Sequence, residues 1–101
     1  MIEQIISRRL QIPLHQVQGT VCLLREGATI PFISRYRKEA TGSLDEVQVG
    51  AVKEQLERLT ELESRRQTIL TTIEEQGKLT PELRRRIEEC WDPVELEDLY
   101  L

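Results

Sequence analysis

Arginine and lysine side chains occur in three clusters, and these clusters are the candidates in this sequence for binding a charged ligand. The clusters are Arg35/Arg37/Lys38, Arg65/Arg66 and Arg84/Arg85/Arg86. Guanidinium and ammonium groups bind phosphate oxygens, so each cluster could contact a nucleic-acid backbone. Adjacent residues of a helix point about 100° apart, so no cluster forms one flat basic face. Solvated or internally paired charge, a phosphate-contacting patch and a protein interface all remain open.

The first cluster is the candidate site for nucleic-acid binding. Arg35, Arg37 and Lys38 flank Tyr36, whose ring provides a stacking surface for a base. Gly42 follows closely and permits close approach of a backbone. We therefore name Arg35, Arg37 and Lys38 as the candidate nucleic-acid-binding residues.

A second interpretation of the same stretch is a buried elbow between two glycines, Gly27 and Gly42. Its apolar residues would then face the core, and they are Ile30, Phe32, Ile33 and Tyr36. Under this interpretation, which we favour, at least one of the two arginines pairs with a carboxylate of the same chain.

Other chemistries lack the necessary residues. His15 is the only histidine, and its polar neighbours at a helix start indicate a solvated side chain, so nucleophile–histidine catalysis is not expected. No cluster has metal-ligand spacing, and no glycine-rich phosphate loop is present. We expect no catalytic residue, no cofactor and no metal, and hence no enzyme. Cys22 is expected to be a small buried residue and Cys90 to lie exposed near a helix end.

Composition narrows the class of protein. The chain has 101 residues, of which 39% are hydrophobic, 4% aromatic and 32% charged, and its net charge is −4. Many charges and few aromatics suit solvated helices with a modest core of Leu, Ile and Val. The net negative charge argues against a protein that binds polyanions in general. No apolar run approaches the roughly 20 residues of a membrane span, and no secretory signal begins the chain, so we expect a cytoplasmic protein.

The pattern predicts an all-α fold of about six helices in an irregular bundle, within a single domain over 1–101. Apolar spacing and caps place them near 2–11, 13–26, 30–41, 44–76, 81–90 and 93–101. Thr29, Thr80 and Asp92 are the expected caps of the third, fifth and sixth helices. Gly19, inside the second helix, indicates close packing with a neighbouring helix.

The long central helix, roughly 44–76, begins at Ser43-Leu44-Asp45-Glu46, which has the form of a capping box. About 32 residues give a rod of about 48 Å, whereas a compact domain of this length has a radius of gyration near 13 Å. Arg66 interrupts its heptad seam, which favours packing on several neighbours over a coiled coil. Its expected inward residues are Leu44, Val47, Val52, Leu56, Leu59, Leu62, Ile69, Leu70 and Ile73.

The stretch from Gly27 to Glu39, GATIPFISRYRKE, resembles the signature of the bacterial Tex family of transcription accessory proteins. The similarity continues through Thr41–Asp45, resumes at Leu62–Arg66 and at Glu75–Thr80, and ends with Leu96–Leu101. These blocks occur in family order and span almost the whole chain.

The resemblance implies that this chain is the N-terminal helical part of a longer multidomain protein. Family members continue with a ribonuclease-H-like domain without a working active site, helix-hairpin-helix modules and a C-terminal oligonucleotide-binding domain. RNA or DNA binding is associated chiefly with that last domain. The apolar residues in the last three positions, without a cap, also suggest a longer chain.

We therefore expect a non-catalytic scaffold that braces other domains of its own chain within a nucleic-acid-binding transcription accessory protein. Its expected partners are those domains, RNA or DNA held by them, and the transcription machinery. A helical protein-interaction or dimerisation module is the alternative, and direct nucleic-acid binding through the basic clusters is a third.

Overall fold

The computed structural model describes residues 2–100, and regular secondary structure in that range is entirely helical. The all-α prediction is confirmed, with seven helices where about six were expected. They are α1 (Ile2–Leu10), α2 (Leu14–Arg25), α3 (Ile30–Tyr36), α4 (Lys38–Thr41), α5 (Glu46–Glu75), α6 (Pro81–Glu88) and α7 (Pro93–Tyr100). Leu101, to which the sixth predicted helix extended, lies outside the described residues.

The helices divide into two compact units, one running to Arg58 and the other beginning at Leu59. Each unit has its own apolar core. The core of the first unit contains Ile2, Ile5, Ile6, Ile12, Val17, Val21, Leu23, Ile33, Leu44, Val49 and Val52. The core of the second contains Leu59, Leu62, Ile69, Leu70, Ile73, Ile87, Cys90 and Leu96. A single domain over 1–101 stays a prediction, and Met1 lies outside the described residues.

Helix α2 organises the first unit, because it packs against α1, α3 and α4. Gly19 lies directly against the backbone of Ala40, where an added Cβ would overlap the Ala40 carbonyl oxygen. The close packing predicted at Gly19 is confirmed. Thr20 and Thr41 are fully buried beside this contact, and the Thr20 hydroxyl donates to the Gln16 carbonyl oxygen. A small residue on α2 therefore sets how near α4 can approach.

The predicted third helix is two helices, separated at Arg37, so the expectation of one continuous helix to Gly42 is wrong. Arg37 has φ −126° and ψ 41°, which ends α3 and begins α4. In one continuous helix, Ala40 would lie one turn beyond Tyr36 on the same face. The break instead directs Ala40 and Thr41 toward α2, while Tyr36 stays in solvent. This change of direction brings Ala40 against Gly19.

Helix α5 covers Glu46–Glu75, close to the predicted 44–76, but its capping box lies two residues later than expected. The Gln48 N–H donates to Asp45 Oδ1 at 2.8 Å, and the Asp45 N–H donates to Gln48 Oε1 at 3.2 Å. Ser43 does not serve as the cap, because it adopts φ 70° immediately after Gly42 at φ 69°. Two successive left-handed residues turn the chain between α4 and α5.

The inward face of α5 is largely as predicted, with one residue misplaced. Val47 is 80% exposed, whereas Val49, absent from the predicted set, is fully buried. Val47 and Val49 lie two residues apart and therefore about 200° apart around the helix axis, so only one of them can face the core. Beyond Glu75, Gly77 at φ 69° ends the helix, and the Lys78 N–H donates back to the Ile73 carbonyl at 3.1 Å.

The caps predicted for the third, fifth and sixth helices are confirmed. Thr29 Oγ1 accepts from the Phe32 N–H at 3.3 Å, and Thr80 Oγ1 accepts from the Leu83 N–H at 3.1 Å. Asp92 Oδ1 accepts from the Val94 N–H at 2.9 Å. Each cap satisfies a backbone donor that the first turn of its helix leaves unpaired.

The contact at Gly19 predicts opposite effects for two glycine-to-alanine substitutions. Gly19→Ala should lower the free energy of unfolding by about 2 kcal/mol, because its methyl group collides with rigid backbone. Gly50→Ala is the matched control, since its nearest neighbour, Ile30 Cδ1, lies at 3.9 Å. It should raise the free energy of unfolding by about 1 kcal/mol through helix propensity. Urea unfolding followed by circular dichroism measures both, and equal effects would contradict the packing described.

Candidate nucleic-acid interface

One face of α3 presents two aromatic rings and a guanidinium group to solvent. Phe32, Arg35 and Tyr36 follow the i, i+3, i+4 spacing that places residues on one side of a helix. Phe32 is 44% exposed and Tyr36 is 68% exposed. The ring centroids lie 5.6 Å apart and the ring planes are inclined at 47°. Ile33, about 100° around the helix axis from Phe32, is fully buried and fixes this orientation.

The buried-elbow prediction is therefore correct for Ile33 and wrong for Phe32 and Tyr36. A signal for exposure was present in the sequence, because Arg35 falls on the same helical stripe as the two aromatic residues. A charged side chain on a stripe places that stripe at the surface unless a partner is buried with it. The apolar character of the two rings alone predicts burial, and this spacing overrides it.

The three candidate cations of the first cluster differ in their pairing. Arg37 Nε lies 2.8 Å from Glu39 Oε1, while Arg35 Nε lies 3.9 Å from Glu46 Oε1. The expectation that at least one arginine pairs within the chain is confirmed for both. Lys38 is exposed and forms no ion pair with a carboxylate of residues 2–100. The pKa of Glu39 is lowered by a hydrogen bond from its own backbone N–H and by Arg37.

The second cluster holds the second unit together. Arg66 lies on the inward stripe of α5 and donates from Nη1 to the carbonyl oxygens of Glu88 and Cys90, at the end of α6. Its guanidinium carbon lies 4.0 Å from the centre of the Trp91 ring. Its Nε is buried and has no hydrogen-bond partner within the described chain. A cation at the carbonyl end of a helix is favourable, so Arg66 attaches α6 to α5.

Arg65 attaches α7 to α5 in the same unit. Its Nε and Nη2 donate to the two carboxylate oxygens of Glu97, at 2.7 Å and 3.1 Å. The guanidinium group also lies 5.5 Å from the centre of the Tyr100 ring. The hydrogen bonds from Arg65 lower the pKa of Glu97, and the same contact raises the pKa of Arg65.

Two arginines of the third cluster are also paired within the second unit. Arg84 contacts Glu88 at 3.3 Å and Glu74 at 3.7 Å, and Arg85 contacts Glu89 at 3.4 Å. The pairs with Glu88 and Glu89 have i, i+4 spacing on α6. The second and third clusters are thus largely engaged with their own unit, which leaves the first as the more open one.

The single histidine lies where it was expected, and the two cysteines do not. His15 is exposed, as expected. The cysteine predictions are reversed, because Cys22 is exposed at the edge of α2 and Cys90 is buried. The Cys90 thiol donates to the Asp92 carbonyl at 3.3 Å. In residues 2–100, no three His, Cys, Asp or Glu side chains are grouped in a way that could hold a metal ion.

The described helices also include none with the length and hydrophobicity needed to cross a bilayer. The described residues thus form an all-α module. Its basic clusters are largely paired, and the face of α3 that carries Phe32, Arg35 and Tyr36 is open to solvent. The chain belongs to the Tex family, since the model of the Tex-like protein N-terminal domain matches residues 1–74.

Similar proteins agree with this assignment. The transcriptional accessory protein Tex of Neisseria gonorrhoeae is 49% identical over 99% of this chain and 13% of its own length. Protein YhgF of Escherichia coli K12 is 51% identical over 97% of this chain and 13% of its own length. The human S1 RNA-binding domain-containing protein 1 is 31% identical over 93% of this chain. The chain spans about an eighth of the bacterial relatives that it matches.

The position of Arg66 predicts a large loss of stability on its removal. Arg66→Ala should lower the free energy of unfolding by about 2 kcal/mol, because it removes the Trp91 stacking and leaves helix-end carbonyls unpaired. Arg66→Lys should recover only part of this, since an ammonium group lacks the planar fork. Arg65→Ala is the control, and its exposed pair should contribute less. Urea unfolding measures all three, and a greater loss in Arg65→Ala would contradict the role of Arg66.

The Arg65–Glu97 pair predicts a pH dependence of known sign. The pKa of Glu97 is lower in the folded chain than its ordinary value of 4.5. The stabilisation from this pair is therefore present above the unfolded-state pKa and is lost as pH falls through the folded-state pKa. NMR titration of the Glu97 carboxyl carbon should give a midpoint below 4.5, which Arg65→Gln should raise. Arg85→Gln should leave the midpoint in place, and an unchanged midpoint in Arg65→Gln would contradict the assignment.

Proposed function

We propose that this chain is a non-catalytic N-terminal scaffold of a transcription accessory protein and that it braces other domains of the same polypeptide. In this proposal RNA or DNA is bound through domains beyond residue 101, in the cytoplasm and in contact with the transcription machinery. The names of the Neisseria gonorrhoeae and human relatives support the transcriptional and the RNA-binding parts of this proposal, respectively.

The main support for the proposal is that arginine side chains hold the helices of the second unit together. Arg65 and Arg66 attach α7 and the end of α6 to α5, and Arg84 joins α6 to Glu74 of α5. Side chains that could have bound a ligand are instead held by carboxylates and carbonyl oxygens of the same unit. Such an arrangement supports a role in maintaining shape.

A brace also needs surfaces that other domains can cover, and each unit has an exposed branched apolar side chain. Val47 is 80% exposed in the first unit and Val94 is 70% exposed in the second. This chain matches 13% of the length of each bacterial relative. Those relatives therefore contain several hundred residues beyond the matched part. We propose that domains formed by such residues cover Val47 and Val94.

A helical protein-interaction or dimerisation module remains the second candidate, and the same exposed valines favour it. The inward stripe of α5 does not, because Val52, Leu59 and Ile69 are almost completely buried within the chain. Self-association through that stripe would require the units to open. A dimer, if formed, would therefore use the exposed valines.

Cysteine labelling of the full-length protein tests the brace. In a Cys22→Ser background, which removes the exposed native thiol, Val47→Cys and Val94→Cys are each labelled with a maleimide. Labelling should be roughly tenfold slower in the full-length protein than in the 101-residue chain, because a docked domain must open first. Gln18→Cys, at an exposed polar position, is the control and should be labelled at similar rates in both.

Equal rates at Val47→Cys and Val94→Cys in the two proteins would overturn the bracing role. Sedimentation of the 101-residue chain distinguishes the dimerisation module from the bracing role, because only the former requires this chain to self-associate. A dimer that dissociates in Val47→Glu or Val94→Glu would assign these residues to self-association.

A further inference from the structure

The open face of α3 is unusual for this chain because it concentrates scarce side chains. The whole sequence has one Phe, two Tyr and one Trp. Phe32 and Tyr36 lie next to each other on α3, and both rings are exposed to solvent. Two adjacent exposed rings leave apolar surface in water, and covering that surface with a ligand is favourable.

The charge of the surrounding segment is opposite to that of the chain. Residues 30–41 contain three cations, Arg35, Arg37 and Lys38, and one carboxylate, Glu39. The chain as a whole has a net charge of −4. This local reversal favours a ligand with negative charge at the place where the aromatic rings are exposed.

Two of the three cations are available for such a ligand. Arg37 has a short contact of 2.8 Å with Glu39, which offsets its charge. Arg35 has only a long contact of 3.9 Å with Glu46, and both side chains are more than half exposed. Exposed pairs of this kind are weak and exchange readily. Lys38 is exposed at the start of α4.

We propose that Phe32, Arg35, Tyr36 and Lys38, here called the aromatic–basic surface, bind single-stranded nucleic acid. One base stacks on the Tyr36 ring, and Arg35 and Lys38 contact the phosphates on either side. Phe32, inclined at 47° to Tyr36, forms a wall against the edge of the stacked base.

Single strands fit the aromatic–basic surface better than the other polyanionic or apolar partners. Bases in a duplex are stacked on one another, so their faces are not open to Tyr36. A purely apolar protein partner would leave Arg35 and Lys38 without compensation. No contact is assigned to the ribose 2′-hydroxyl, so RNA and DNA offer this surface the same bases and phosphates. The experiment below compares the two.

Fluorescence anisotropy with the 101-residue chain tests the proposal. The probes are labelled oligouridylate and oligothymidylate of about 12 nucleotides, with a duplex of equal length as competitor. Binding should be strongest at low salt and should weaken as salt increases. Tyr36→Ala should weaken binding roughly tenfold, whereas Tyr36→Phe should retain it, because stacking requires the ring and not the hydroxyl.

Two further variants separate the contributions. Lys38→Gln should reduce the slope of log affinity against log salt by about one, as expected for one lost phosphate contact. Gln18→Ala changes an exposed side chain of α2 outside the aromatic–basic surface and should leave binding unchanged. Circular dichroism establishes that each variant is folded.

Several results would overturn the inference. They are absence of binding at low salt, equal binding by Tyr36→Ala and the unchanged chain, and duplex competing as well as a single strand. Self-association of the chain that Tyr36→Ala abolishes would assign the surface to a second copy instead. None of these outcomes bears on the bracing role, which was proposed for Val47 and Val94.

Discussion

The first unit depends on the absence of a side chain at Gly19. With no Cβ there, the carbonyl group of Ala40 lies directly on α2, nearer than any other residue would allow. The chain cannot reach that position along a straight continuation of α3, so the helix breaks at Arg37. The break buries Thr41 and leaves Tyr36 in solvent. One backbone contact thus determines both the packing of α4 and the character of the surface that α3 presents.

The second unit is organised by a different kind of interaction. Arg66 occupies a position on the inward face of α5 where an apolar residue would continue the stripe, and it binds the carbonyl end of α6. An apolar residue there could fill space, but it could not satisfy backbone oxygens or stack as a cation on Trp91. The interruption that argues against a coiled coil is therefore what allows two short helices to attach to a long one.

Much of this architecture could be predicted from the sequence, because it is encoded locally. Thr29, Thr80 and Asp92 cap their helices through residues only two or three positions away. The features that were missed depend on distant residues. The break at Arg37 is linked to the packing of Ala40 on Gly19. The exposure of Cys22 and the burial of Cys90 depend on which side of α2 and which end of α6 pack against other helices. The pairing of Arg65 with Glu97 spans 32 positions and has no local signal.

The position of Trp91 gives each unit its own optical signature. The only indole of the sequence lies in the second unit against a guanidinium group, whereas the first unit has Tyr36 and no tryptophan. Indole emission therefore reports on the second unit alone, and backbone ellipticity reports on both. Since α5 contributes residues to both units, coincident transitions by the two signals would mean that the helix transmits cooperativity from one core to the other. Separate transitions would mean that the two cores melt as independent folding units.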